Sequence, residues 1–172
     1  MPKASASHRV TLNVLVAHAP WTKFIARPEA LLRRAARAAL AAARRDRRRL
    51  GASSFIIDVA LIDDRAMRRL NRTYRGKDKS TNVLSFPAEP SGPGTAKRRV
   101  LGDIALALGT LRREARAQGK SPPDHLSHLM VHAVLHLLGY DHESDPEAEH
   151  MEALERKALA GLAIADPYRS RG

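Results

Sequence analysis

The sequence predicts an α+β domain of α/β type, with one mixed sheet of roughly four strands packed by about five helices. Two short segments place apolar residues at every second position, the period of a strand with one buried face, and two further short apolar runs also read as strands. Between them lie longer segments whose apolar residues recur three and four apart, the period of a helix. At 172 residues and 44% apolar composition, the chain is long enough for one sizeable core and too short for two. Residues 1–172 are therefore read as one domain, with 1–8 as a flexible tail.

Each element follows from local pattern. Val10, Leu12, Val14 and Val16 alternate along the first strand. Pro28 and Glu29 open a helix that runs to about Arg49, with proline in the tolerated first turn and a carboxylate at the positive helix end. Leu31, Leu32, Ala35, Ala36, Ala39, Leu40 and Ala43 form its core face. Arg33, Arg34, Arg37, Arg44, Arg45, Arg47, Arg48 and Arg49 form the other, balanced only by Glu29 and Asp46, and such a face is read as a surface for RNA phosphates. Ser53 to Ile62 is the second strand, with Phe55, Ile57, Val59 and Leu61 at period two. Asp63 or Asp64 caps a short helix to about Tyr74, and a polar loop, Tyr74 to Asn82, leads into the strand Val83 to Pro87. Glu89 to Lys97, rich in proline, glycine and serine, reads as a mobile loop before the fourth strand, Val100 to Leu106. Helices follow over Leu108 to Gln118, from Pro122 through the apolar run Leu129 to Leu138, and from about Pro146 to Ala160.

Composition narrows the chemistry. The chain has no cysteine, so disulfides and thiolate ligands are excluded and any metal must be held by histidine or carboxylate. Lys and Arg number 30 against 18 Asp and Glu, a net +12, which attracts polyanions and makes nucleic acid the first partner to consider. There is neither a secretory apolar run near the N-terminus nor a stretch of about 18 apolar residues, so a cytoplasmic protein without a membrane partner is expected.

The chemistry concentrates in His132-Ala-Val-Leu-His136-Leu-Leu-Gly139-Tyr-Asp-His142. Residues four apart share a helix face, so His132 and His136 can grip one ion. Gly139 stands where a left-handed residue ends a helix, and the returning chain brings His142 to the same point. Three neutral imidazoles leave a fourth zinc position open for water, the layout of a catalytic site. The skeleton is that of metzincin proteases, but their general-base glutamate is replaced here by Ala133, which moves no proton. A rival set, His128 with His132 and His136, fails on distance. His128 and His136 lie roughly 12 Å apart along a helix axis, and each ligand must reach within about 2.1 Å of zinc. His128 is read as a core residue or one supporting a ligand, His125 as a surface residue and His150 as structural. Asp141 is either an acceptor orienting a ligand or an ordinary turn carboxylate.

The segments Leu70 to Asp78, Thr81 to Pro87 and Leu101 to Ile104, followed by the histidine stretch, resemble in order and spacing the signatures of the YbeY family of bacterial endoribonucleases and rRNA maturation factors. The likeness runs from about Val10 to Tyr168; the chief departure is Ala133, where the family commonly has glycine. The resemblance implies one zinc ion on His132, His136 and His142, with Arg75 and His136 as catalytic residues. It implies single-strand-specific cleavage in maturation of the 16S rRNA 3′ end and in small-subunit quality control. The small ribosomal subunit, its proteins and assembly GTPases would be the partners, and DNA would not. The alternatives are a zinc-stabilised assembly factor without catalysis and a metal hydrolase of another substrate.

Overall fold

In the computed structural model, which describes residues 8–89 and 97–169, the period-two residues of the second strand, Phe55, Ile57, Val59 and Leu61, are all buried. That strand, β2 (Ser54–Ile62), lies parallel to β1 (Arg9–Val16) and to β4 (Arg98–Ala107). The short β3 (Val83–Pro87) runs antiparallel to β4 at the edge, so the sheet is mixed, in the order β1-β2-β4-β3. Most of the expected tail (1–7), most of the expected loop (90–96) and the side chains of Arg47 and Arg48 lie outside the described residues.

Helices cover the sheet unequally. On one face α2 (Pro28–Ala42), α6 (Pro122–Leu137) and α7 (Asp145–Gly161) build the main core around Leu32, Leu40, Met130, Val134 and Leu159. On the other face α4 (Asp64–Arg75) presses Met67 against Ile62, Leu84 and Ala105. A fifth long helix, α5 (Leu108–Gln118), follows β4 directly and buries Leu111 and Ala115. Asp63 caps α4 by accepting a 2.7 Å bond from the Ala66 amide, so of the two expected caps it is the one used.

Two helical segments depart from the sequence reading. The helix expected to Arg49 stops at Ala42, and a separate turn, α3 (Arg47–Leu50), follows. Between Ala43 and Leu50 only charged residues occur, so no apolar face holds the helix together and neighbouring cations repel. Asp46 instead accepts from the Arg49 amide at 3.3 Å and starts α3. The five-residue α1 (Pro20–Phe24) was not expected because it is too short to show a period. It is anchored by Trp21, wholly buried, whose indole N–H donates to the Ile62 carbonyl at 2.9 Å.

Where β2 and β4 pair, the register slips: Ile56 faces Val100 and Ile57 faces Gly102. Gly102 has φ +140°, and an added Cβ would stand 2.1 Å from the Phe86 carbonyl oxygen of β3. Glycine there lets β3 approach closely enough to extend the sheet beside α6.

Candidate metal centre

The local sequence builds α6 as a rigid post. Ser121 caps it by accepting from the Asp124 amide at 3.2 Å, Pro122 and Pro123 fill its first turn, and Leu126, Met130, Val131, Val134 and Leu135 bury it. His132 and His136 then leave one side, one turn apart, their ring centroids 4.5 Å from each other. The chain exits through Gly139 at φ +91°, and His142 returns with its ring 5.5 Å from His132 and 5.0 Å from His136. One ligand atom from each of the three lies within 4.8 Å of the others. Three nitrogens about 2.1 Å from one tetrahedral ion stand roughly 3.4 Å apart, so these three histidines could converge on one metal ion.

The tautomers are fixed from behind. The Nδ1 atom of His136 sits 2.9 Å from the Tyr140 carbonyl, which can only accept, so this nitrogen carries the proton. His132 Nδ1 bonds the carboxylate of Glu155 on α7. The two Nε2 atoms that remain face each other at 3.0 Å. With both Nδ1 positions protonated, two lone pairs point at one spot, an arrangement that calls for a cation there. Burial and the neighbouring imidazoles of His132 and His142 also lower the pKa of His136, favouring the neutral form that binds metal.

Glu155 was not anticipated from the sequence. It is 0% exposed and also accepts from the Tyr168 hydroxyl, while His128 Nε2 stands 3.7 Å away. Burial alone would raise its pKa, but hydrogen bonds from His128, His132 and Tyr168 hold it at about 2. One sequence signal could have found it. Met151, Glu155, Ala158 and Leu159 share the buried face of α7, and a carboxylate on such a face needs a partner.

The returning loop is braced by α3. Arg49 donates to the Gly139 carbonyl at 2.6 Å, pairs with Asp46 at 3.0 Å and lies over the Tyr140 ring at 4.4 Å. Tyr140 donates to Asp46 at 3.0 Å, and burial with the Asp46 charge pushes its hydroxyl up to about 12. Arg49, expected on the RNA-facing side of a long helix, is therefore committed to this loop.

Of the remaining candidates, Arg75, His125, His128 and Asp141 line a cleft of about 950 Å³. Arg75 lies on its wall, donating to the Ser85 carbonyl at 2.9 Å with its guanidinium 5.1 Å from the Phe86 ring centroid. Asp141 accepts from the His142 amide at 2.8 Å, the ordinary turn reading. His128 touches Glu155 and the Tyr168 ring, so it supports the carboxylate that holds His132. His125, expected at the surface, is 3% exposed with Nε2 2.7 Å from Glu114 of α5. A charged partner on another element, invisible to local pattern, is what lets it be buried. His150 is exposed against the Tyr140 ring, and Ala133 is wholly buried.

Comparison with known proteins agrees with this architecture. The sequence profile of the family described as Endoribonuclease YbeY matches residues 22–163. A relative named Endoribonuclease YbeY from Bradyrhizobium sp. strain BTAi1 is 55% identical over 138 residues, covering 78% of this chain and 80% of its own. One of the same name from Rhodopseudomonas palustris strain HaA2 is 59% identical over 116 residues, covering 64% of this chain and 60% of its own. A Thermotoga maritima protein solved in solution shares the fold at 19% identity and a TM-score of 0.51, over 93% of this chain and 100% of its own. The matched signatures, which include all three converging histidines, place this chain in the YbeY family of endoribonucleases.

Proposed function

We propose that the chain is a zinc-dependent, single-strand-specific endoribonuclease that matures the 3′ end of 16S rRNA in the context of the small ribosomal subunit. The observation that carries the metal half is the pair of Nε2 atoms facing each other at 3.0 Å with their opposite ring nitrogens bonded to Glu155 and to the Tyr140 carbonyl. In this reading His132, His136 and His142 hold one zinc ion, which when bound supplies Lewis acidity and can lower the pKa of bound water to about 7.

The chain's own residues do the rest. Arg75, held at the β3 edge by Ser85 and Phe86, offers a planar fork to two phosphate oxygens, which gain charge as the phosphodiester is attacked. Glu155 and the Tyr140 carbonyl keep two imidazoles turned toward the cleft, so their basicity and direction are set before substrate arrives. Ala133 supplies no base, so the attacking group is a water or the RNA's own 2′-hydroxyl. No helix among the described residues is long and apolar enough to cross a membrane; a ribosomal substrate sets the reaction in the cytoplasm, with ribosomal proteins and assembly GTPases as neighbours.

The test is cleavage of precursor 16S rRNA within small subunits, after the bound metal has been measured. Wild type should cleave, while Arg75→Glu and His136→Ala should lose cleavage yet still bind subunits. Equal cleavage by His136→Ala, or after stringent chelation, would overturn the mechanism. Metal-free wild type that binds but never cleaves, even when zinc is restored, would leave the protein an assembly factor.

A further inference from the structure

Away from the metal cleft, a second groove of about 530 Å³ runs between α2 and α7. Four cations line it, Arg34, Arg37, Arg44 and Lys157, over a floor of small residues that includes Ala41 and Gly161, and no carboxylate lines it. All four cations are exposed. None makes an ion pair among the described residues, whereas Arg49, Arg68, Arg113 and Arg156 each do. Arg34 and Arg37 stand one turn apart on α2, and Arg44 follows in the turn beyond its end. The row extends about 15 Å at a rise of 1.5 Å per residue.

An unpaired row of one sign over an open floor needs an explanation, because the like charges repel one another and nothing nearby offsets them. Two kinds of partner offer the opposite charge. A protein partner would need a deep pocket for an aromatic or aliphatic anchor, and a floor of alanines and Gly161 with Leu162 as its one larger apolar side chain offers little of that kind. A nucleic acid backbone presents repeating phosphates that arginine forks bind singly, with no anchor required.

The position relative to the metal centre matters as well. α7 begins at Asp145, three residues after His142, and Lys157 lies twelve residues further along it. That separation is about 18 Å along the helix, or roughly five stacked nucleotides at 3.4 Å each. We propose that the α2–α7 groove is a second RNA-backbone contact, which holds the flank of a strand whose scissile bond lies in the metal cleft. The proposal rests on the endoribonuclease reading.

The experiment measures binding of 2′-O-methyl 16-mer and 4-mer oligonucleotides by fluorescence anisotropy over a salt series. Wild type is compared with the triple variant Arg34→Gln, Arg37→Gln, Arg44→Gln. A charge-matched control, Lys23→Gln, Arg98→Gln, Arg116→Gln, changes exposed cations elsewhere. For the 16-mer, the slope of log affinity against log salt should become shallower by about 2 in the groove variant, three contacts at roughly 0.7 each. The control should keep the wild-type slope, and the 4-mer, too short to span both sites, should bind the groove variant as it binds wild type. Gly161→Glu also tests the groove, since an added Cβ there meets nothing within 4 Å and the substitution sets one negative charge inside. It should weaken the 16-mer alone.

Three results would overturn the proposal: an unchanged 16-mer slope in the groove variant, an equal loss in the control, or displacement of the 16-mer by polyglutamate as effectively as by polyuridylate. The last would assign the groove to an acidic protein. Failure of the catalytic reading shows separately, as wild-type protein that cleaves neither RNA length while the groove-dependent slope persists.

Discussion

Replacing Glu155 with glutamine tests whether the carboxylate behind His132 governs the metal site. The substitution keeps the shape and one accepting oxygen, removes the charge and turns the second accepting oxygen into an NH2 donor, at a position that is 0% exposed. His132 then has a weaker acceptor at Nδ1, its Nε2 becomes a poorer ligand, and Tyr168 and His128 lose their charged partner. Partners of this kind are worth about 10- to 100-fold in metal affinity, or about 1.4 to 2.7 kcal/mol. A buried carboxyl held at about 2 stabilises the fold in its charged form, so the metal-free variant should melt several degrees below wild type while still folding. Because the carboxyl is held at about 2, it is ionised throughout the working range. The affinity gap should therefore stay constant between about pH 6 and pH 8, while both proteins weaken together as their imidazoles protonate. Competition against a chromogenic chelator measures the affinity and circular dichroism checks the fold. A zinc affinity within about threefold of wild type, with the fold intact, would refute the role given to Glu155.

Three further outcomes follow from the geometry. Gly102→Ala should lose about 3 kcal/mol or more of stability in a denaturant melt, because its Cβ would meet the Phe86 carbonyl at 2.1 Å on backbone at φ +140°. Arg49→Met should weaken zinc binding while leaving β-sheet signals unchanged, since the Gly139 and Asp46 bonds it loses brace only the returning loop; an unchanged chelator titration would count against that brace. The Asp64 carboxyl is raised by burial but held below 3.8 overall by bonds from Thr110, Arg113 and Ser80. Its contribution is thus fully present above pH 3.8 and lost as pH falls through its lower folded value. Asp64→Asn should be less stable at neutral pH by about 1 to 2 kcal/mol and should converge with wild type in acid. A gap that is constant across an acid titration would contradict this.

Local pattern carried the strands, the five long helices and the convergence of the three histidines, because each depends on neighbours within a turn or two. Phe55 to Leu61 shows its period in any window, and His132, His136 and His142 need only one helix and one glycine exit. What local pattern missed depends on residues far apart in the chain. Glu155 meets His132 across 23 positions, Arg49 meets Gly139 across 90, and Glu114 covers His125 from another helix. The broken helix after Ala42 had a local signal, a run of charge without an apolar face, which composition alone had assigned to RNA. Arg75 shows the opposite limit. Its backbone partner at Ser85 is a contact many surface arginines make, and only its family signature and its place on the cleft wall distinguish it.

The clasp on His132 also sets a schedule for assembly. Its carboxylate comes from α7, and the tyrosine that holds the carboxylate comes later still, at position 168. At about 5 to 20 residues per second, residues 143 to 168 leave the synthesis site roughly one to five seconds after the last ligand. The three imidazoles are thus made before the groups that turn His132, and the clasp forms only in a chain that has reached Tyr168. Under the proposed metal role, a product that ends before Tyr168 would carry the three histidines without the full clasp on Glu155 and should hold the metal more loosely than the longer chain.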